Sequence, residues 1–300
     1  MIRLVPARPP VPGSGDLRRL AAAIRLHAVR MVAPHGFGYL GQALSAAEQY
    51  AAVYGAALRP GTDRVVCSPA HYVIAAYAAA AQTGLLDEAM LATYGQDGSA
   101  LEAIGTERSP VPDYTCGSLG QGLSAAAGFA LADRLRGHPE ARTFAFLSDG
   151  EMEEGQVWEA AMFAGHYRLD RLTVLLDANN SQVDGPVDTI TTIEPVAAKW
   201  RAFGWAAVEL DGHDVDAVAA ALTDGTEGTD RTDGTDRTDG ADGAGTAAGH
   251  ARPRILVCRT STRHGLSCLP PNADGHFIKL PADLAAAAEA ELSAELADDG

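Results

Sequence analysis

The chain has 300 residues, 47% of them hydrophobic, and a formal net charge of −16. That length and apolar content suit one large α/β domain or two modest ones, and the acidic excess argues against a nucleic-acid surface, which needs surplus Lys and Arg. Cys67, Cys116, Cys258 and Cys268 form no CxxC pair and no zinc spacing, which points to reduced thiols in a cytoplasmic protein. The opening MIRLVPARPPVPGSGD has too many prolines for a signal peptide. No run of about 18 uncharged apolar residues offers a membrane span.

The elements follow in chain order. A Pro-rich tail covers residues 1–16. Leu17 to Ala33 is apolar at helical spacing and stops at Pro34. HGFGYLGQ reads as a Gly-rich loop. Ser45 and Glu48 have capping-box spacing, which predicts a helix from there to about Leu58. Arg64 to Ser68 is a short strand and His71 to Gln82 a helix, with Gly84 as its stop. Gly117 to Arg136 reads as a helix rich in Gly, Ala and Ser. Thr143 to Ser148 and Leu172 to Asp177 are continuous apolar strands of the kind buried on both faces of a parallel sheet, with a helix between them from about Glu153 to Tyr167. Helix Pro195 to Phe203, strand Trp205 to Leu210, helix Val215 to Leu222 and strand Arg254 to Thr260 complete the alternation. The order predicts an α/β fold: a doubly wound, mainly parallel sheet flanked by helices over residues 17–280, followed by a helical tail at 281–300. Residues 223–251 repeat Thr-Asp-Gly and Thr-Asp-Arg and hold no Leu, Ile, Val or aromatic residue, so a disordered surface loop is expected there.

In such sheets ligands sit beyond the carboxyl ends of the strands. Two ends carry polar groups. Asp149-Gly150 follows the first buried strand and Asn179 follows the second, and both emerge on one edge. A carboxylate, an amide oxygen and a nearby carbonyl are hard ligands that suit Mg²⁺ or Ca²⁺ and leave room for phosphate oxygens. Gly150 lets the backbone approach a diphosphate, and the next helix N-terminus favours an anion. Plainer readings stand beside these. Asp149 serves as a helix cap, His71 as a polar residue opening a helix, His213 as a turn residue in DGHD, and Glu154 and Glu159 as solvated charges. Trp158 and Met162, four apart, read as core.

Ser148-Asp149-Gly150, 28 intervening residues and Asn179-Asn180 resemble the thiamine-diphosphate motif. The phrases TCGSLGQGLSAAAG (115–128), EGQVWEAAMFAGHYRLDRL (154–172), QVDGP (182–186), KWRAFGW (199–205) and DGHD (211–214) resemble N-terminal subunits of transketolases. The resemblance implies a thiamine-diphosphate-binding domain. Asp149, Asn179 and the Ser181 carbonyl would hold Mg²⁺ or Ca²⁺, with Gly150 and Glu151 at the diphosphate. Gly117, Ser118 and Leu119 would border the pyrimidine end. His71 and His213 would reach the diphosphate or the reacting carbons, Glu154 and Glu159 would lie at a subunit interface, and His276 is placed like a histidine of split transketolases.

The resemblance also implies a partner. Thiamine diphosphate needs a second domain that holds its pyrimidine and sets a Glu beside the ring nitrogen, and no second α/β block is found in this sequence. The expectation is a C-terminal, pyrimidine-binding transketolase subunit, an α2β2 assembly, and transfer of a two-carbon ketol unit between sugars. Several positions depart from the family pattern. Ser148 replaces a glycine, Tyr39 a histidine and Gln42 a glycine, and a GHP element is missing near Ile104 to Tyr114. His35, four residues before Tyr39, is a candidate substitute. The changes point to a specialised, modified-sugar substrate. Two other readings stay open: an α subunit of a 2-oxo acid decarboxylase or dehydrogenase, and a catalytically degenerate partner subunit.

Overall fold

The computed structural model describes residues 14–223, 252–271 and 273–298. The Pro-rich tail up to residue 13 and the acidic segment from 224 to 251 lie outside the described residues. In chain order the elements are α1 (Ser14–Val32), β1 (Phe37–Gly38), α2 (Leu40–Ala51), β2 (Arg64–Pro69), α3 (Val73–Gln82), β3 (Tyr114–Cys116), α4 (Gly122–Leu135), β4 (Thr143–Ser148), α5 (Gly155–His166), β5 (Leu172–Ala178), α6 (Val187–Ile190), α7 (Val196–Ala202), β6 (Ala206–Asp211), α8 (Val215–Thr223), β7 (Arg254–Arg259), β8 (Ile278–Lys279) and α9 (Ala282–Asp298). Six strands form one parallel sheet in the order β3-β2-β4-β5-β7-β6, and β1 pairs antiparallel with β8. The predicted doubly wound α/β class is what the chain adopts.

The continuous apolar strands have a simple cause: each strand packs helices on both faces. Val65, Cys67, Phe144, Phe146, Leu175, Leu256 and Cys258 face a core built with α1, α2, α3, α8 and α9. Their strand neighbours Val66, Ala145, Leu147, Val174, Leu176, Ile255 and Val257 face a second core with α4, α5 and α7. The period of two along each strand therefore separates two cores rather than core from water. Only β6, at the sheet edge, is largely open, and there Glu209 pairs with Arg259. No helix among the described residues is long and apolar enough to cross a membrane.

Three expectations need correction. The second helix begins at Leu40, not Ser45, because Leu40 to Leu44 are buried helical residues. Ser45 and Glu48 are interior partners of Asp177 and Arg25 rather than a capping box. The fourth helix begins at Gly122, not Gly117. Residues 117–121 turn instead, with Gly120 in the left-handed region at φ +84°. The C-terminal helix is no tail: Ala288 and Leu292 are buried, and Glu289 bonds Arg30 of α1 at 2.7 Å.

The start of α4 lies hard against the end of β2. The Gly122 N–H donates to the Ser68 hydroxyl at 3.1 Å. A Cβ at Gly122 would fall 2.3 Å from the Ser68 side chain and 2.6 Å from its Cα. Gly122→Ala is therefore expected to cost about 1–3 kcal/mol of stability by overpacking. A urea unfolding midpoint equal to that of the parent chain would refute this close approach.

Candidate active site at the carboxyl edge of the sheet

β4 and β5 run parallel with Ser148 opposite Asp177, so their carboxyl ends lie side by side. Asp149 leaves β4 at 3% exposure and Asn179 leaves β5 at 8%. The Asp149 carboxylate accepts the Gly150 N–H at 2.9 Å and the Asn180 N–H at 2.5 Å, which ties the two strand ends together. Asn180 takes a left-handed conformation, φ +57°, and turns the chain so that the Ser181 N–H donates to Asn179 Oδ1 at 2.9 Å. Gln182 follows, and its Cβ lies 3.2 Å from where a Gly150 Cβ would sit. Asp149, Gly150, Asn179 and Ser181 are thus brought to one place.

The charge at this place is one-sided. Burial, then the neighbouring Asp177 carboxylate, push the Asp149 carboxyl up to about 7. Among the described residues no Lys or Arg hydrogen-bonds either carboxylate; their partners are hydroxyls, amides and backbone N–H groups. A buried oxygen-only donor set with uncompensated negative charge has the chemistry of a Mg²⁺ or Ca²⁺ site.

Glu151, expected at the diphosphate, is fully buried. Its Oε1 accepts the Ser68 hydroxyl and, at 2.7 Å, the Gly120 N–H, so it clamps the turn 117–120 to the end of β2. Its side chain is thus turned into the interior. Burial pushes its carboxyl up to about 7, and its Oε2 has no hydrogen-bond partner. Gly117, Ser118 and Leu119 are exposed on the clamped turn, near the exposed Ile104. Glu154, at the N-cap of α5, and Glu159 on that helix are exposed, as are Met162 (55%) and Phe163 (40%).

The histidines divide into two groups. His71 packs between Tyr39 and His276, each with ring centroids 5.0 Å away. Burial, reinforced by His276, lowers His71 to about 3, so it is neutral. Gln42 donates to His276 Nδ1 at 3.0 Å and to the His276 carbonyl at 3.0 Å. Phe37 and Phe277 extend this wall outward from Tyr39. His35 does not substitute for Tyr39: its ring bonds the Tyr94 carbonyl at 2.8 Å.

His213, expected to reach the diphosphate or the reacting carbons, sits in another group with Glu48, Ser261 and His264. Its Nε2 accepts the Ser261 N–H at 2.8 Å, so the proton sits on Nδ1 and is donated to Glu48 at 3.2 Å. Both nitrogens are committed, and the ring stacks on His264 at 3.6 Å. Glu48, His213 and His264 lie close enough to hold a metal. However, Glu48 is already neutralised by buried Arg25, and His213 has no free lone pair. The group locks α1, α2 and the loops after β6 and β7 together.

Sequence reasoning missed Asp177 and Tyr72, which bond the Asn179 amide, and Thr260, which bonds Asp177. The available signal was an Asp closing a wholly apolar strand two residues before the Asn.

A family model described as "Transketolase, thiamine diphosphate binding domain" matches residues 17–234. A putative uncharacterized transketolase family protein of Sinorhizobium fredii is 37% identical, over 88% of this chain and 91% of its own length. The 6-deoxy-6-sulfo-D-fructose transketolase subunit SqwG of a Clostridium species is 35% identical over 93% of this chain and 97% of its own. The transketolase structure from Campylobacter jejuni superposes with a TM-score of 0.77 at 21% identity. It covers 93% of this chain, which spans only 43% of that protein.

The Glu48 lock yields a stability prediction. Burial pushes the Glu48 carboxyl up, but Arg25 and His213 outweigh it and hold it below its ordinary value. Its contribution is present above the ordinary carboxylate range and is lost as pH falls through the depressed value. Glu48→Ala leaves the Arg25 guanidinium buried and unpaired, with an expected cost of about 3–5 kcal/mol. A loss below about 1 kcal/mol in urea unfolding, the scale of an exposed ion pair, would contradict the lock.

Proposed function

The chain belongs to the transketolase family through its thiamine diphosphate-binding domain, and from that premise we propose that it is the diphosphate- and cation-binding subunit of a two-component, transketolase-like enzyme. The observation that carries this reading is the convergence of Asp149 and Asn179 at the paired ends of β4 and β5, in a buried oxygen-lined site where, among the described residues, no Lys or Arg hydrogen-bonds the carboxylate. Asp149, the Asn179 amide oxygen and the Ser181 carbonyl hold Mg²⁺ or Ca²⁺. Gly150 lets the diphosphate approach, and the turn Gly117 to Leu119 borders the pyrimidine. When bound, thiamine diphosphate supplies the electron sink for moving a two-carbon ketol unit.

The remaining groups of this chain bind and orient. His71 is neutral, so it offers a sugar hydroxyl one donor and one acceptor rather than a charge. His276 stands between that position and the Ser181 loop. Glu154, Glu159, Met162 and Phe163 face outward on α5, where the partner subunit docks. The partner is a C-terminal transketolase subunit bearing the pyrimidine site, in an α2β2 assembly. Support comes from the Clostridium relative, which is named a subunit and matches along nearly its whole length. Its named substrate is a sulfonated ketose. With Tyr39 packed between Phe277 and His71, this favours a modified sugar here too. The four free cysteines fit a cytoplasmic location.

Two outcomes are expected. By calorimetry on the assembled enzyme, thiamine diphosphate binds only with Mg²⁺ or Ca²⁺ present, and Asp149→Ala abolishes that binding. Binding by Asp149→Ala at the parent affinity would contradict the proposed site. The second outcome concerns pH. Because the Asp149 carboxyl is raised to about 7, its ionised form opposes folding of the cation-free chain as pH rises from the ordinary carboxylate range to 7. The cation competes with that proton, so stabilisation by Mg²⁺ grows between about pH 5.5 and about pH 8. A Mg²⁺-induced shift in Tm that is flat with pH would contradict it.

A further inference from the structure

Asp177 is the penultimate residue of β5, two residues before Asn179, and is 1% exposed. Five donors from four parts of the chain meet its carboxylate. Oδ2 takes the Ser45 hydroxyl at 2.5 Å, the Tyr72 hydroxyl at 2.8 Å and the Asn179 amide at 2.7 Å. Oδ1 takes the Thr260 hydroxyl and the Gln49 amide at 3.3 Å. Both oxygens are fully used, so Asp177 has no lone pair to give a cation.

These contacts have a direction. An ionised carboxylate only accepts, so the Asn179 atom facing it is the NH₂ group. That group also reaches the Tyr72 oxygen at 3.0 Å. The amide oxygen is thereby turned to the other side, where it meets the Ser181 N–H in the loop tied to Asp149. An amide is nearly the same shape in its two orientations, and a flipped Asn179 would aim N–H groups at the cation. We infer that Asp177 is a positioning residue: it acts through Asn179, holding the amide with its oxygen toward the cation and its NH₂ group away. The inference rests on the cation–diphosphate reading above.

The test separates positioning from mere support of the fold. Mn²⁺ is titrated into the full chain in the presence of thiamine diphosphate, and free Mn²⁺ is read by electron paramagnetic resonance. Asp177→Asn keeps the size but supplies its own NH₂ group, so nothing dictates which way Asn179 faces. The expected loss of Mn²⁺ affinity is about 10–100-fold. Asp63→Asn is the matched control. Asp63 is also buried, but it pairs with Arg59 and Arg142 at the opposite end of the sheet. It is expected to lower the thermal midpoint and leave Mn²⁺ affinity unchanged. Parent-like Mn²⁺ affinity in Asp177→Asn, with affinity lost in Asp149→Ala, overturns the positioning role and spares the functional reading. Retention in Asp149→Ala instead overturns the functional reading itself. Should Asp177→Asn fail to fold, Tyr72→Phe removes one hydroxyl shared by Asp177 and Asn179. A severalfold weakening then supports the inference, and an unchanged affinity refutes it.

Discussion

Two buried carboxylates that, among the described residues, take no hydrogen bond from a Lys or Arg organise this molecule. Asp177 lies near the end of β5 opposite Ser148, and Asp149 follows Ser148 one residue further along the neighbouring strand. Each is desolvated, and each raises the cost of ionising the other, in line with the upward shift of Asp149. A protein usually meets such a cost with an Arg or Lys. Here the compensation is dipolar and divided. Asp177 is saturated from below by hydroxyls and amides, while Asp149 is met only by two backbone N–H groups and keeps acceptor capacity toward the sheet edge. The unsatisfied half of the pair is the half that faces a ligand.

The surrounding fold exists to hold that asymmetry still. Parallel strands buried on both faces fix the heights of Asp149 and Asn179 to within the register of the ladder. Glu151 pins the turn before α4 to the end of β2, and Gly122 permits the contact. On the opposite face Arg25, Glu48 and His213 lock α1 and α2 to the loops following β6 and β7. That lock matters for the site because α2 carries Ser45 and Gln49, and the loop after β7 carries Thr260. A shift of either would withdraw donors from Asp177.

Much of this was legible in the sequence, and the exceptions share a cause. Strands β4 and β5 announced themselves because a strand buried on both sides has no polar alternation. Asp149 and Asn179 were visible because polar residues ending such strands have few other uses. Ser45 and Glu48 were misread because their spacing fits a local cap, whereas their partners lie 132 and 23 residues away. Gly117 to Gln121 looked helical by composition, yet the Glu151 carboxylate captures the Gly120 N–H and holds a turn there. Strand β3 has three residues, too few for any periodicity to register. Glu151 and His213 were assigned to the ligand by their place in motifs; the interior partners of their side chains, Ser68 and Gly120 for one and Glu48 and Ser261 for the other, are revealed only by coordinates.

The central claim is spatial, and a crystal structure of the assembled enzyme grown with Mn²⁺ and thiamine diphosphate tests it most directly through the metal's anomalous scattering. The account predicts one anomalous peak about 2.0–2.3 Å from an Asp149 carboxylate oxygen, Asn179 Oδ1 and the Ser181 carbonyl, with diphosphate oxygens completing the shell. A peak at Glu48, His213 and His264 instead, with Asp149 uncoordinated, would contradict it.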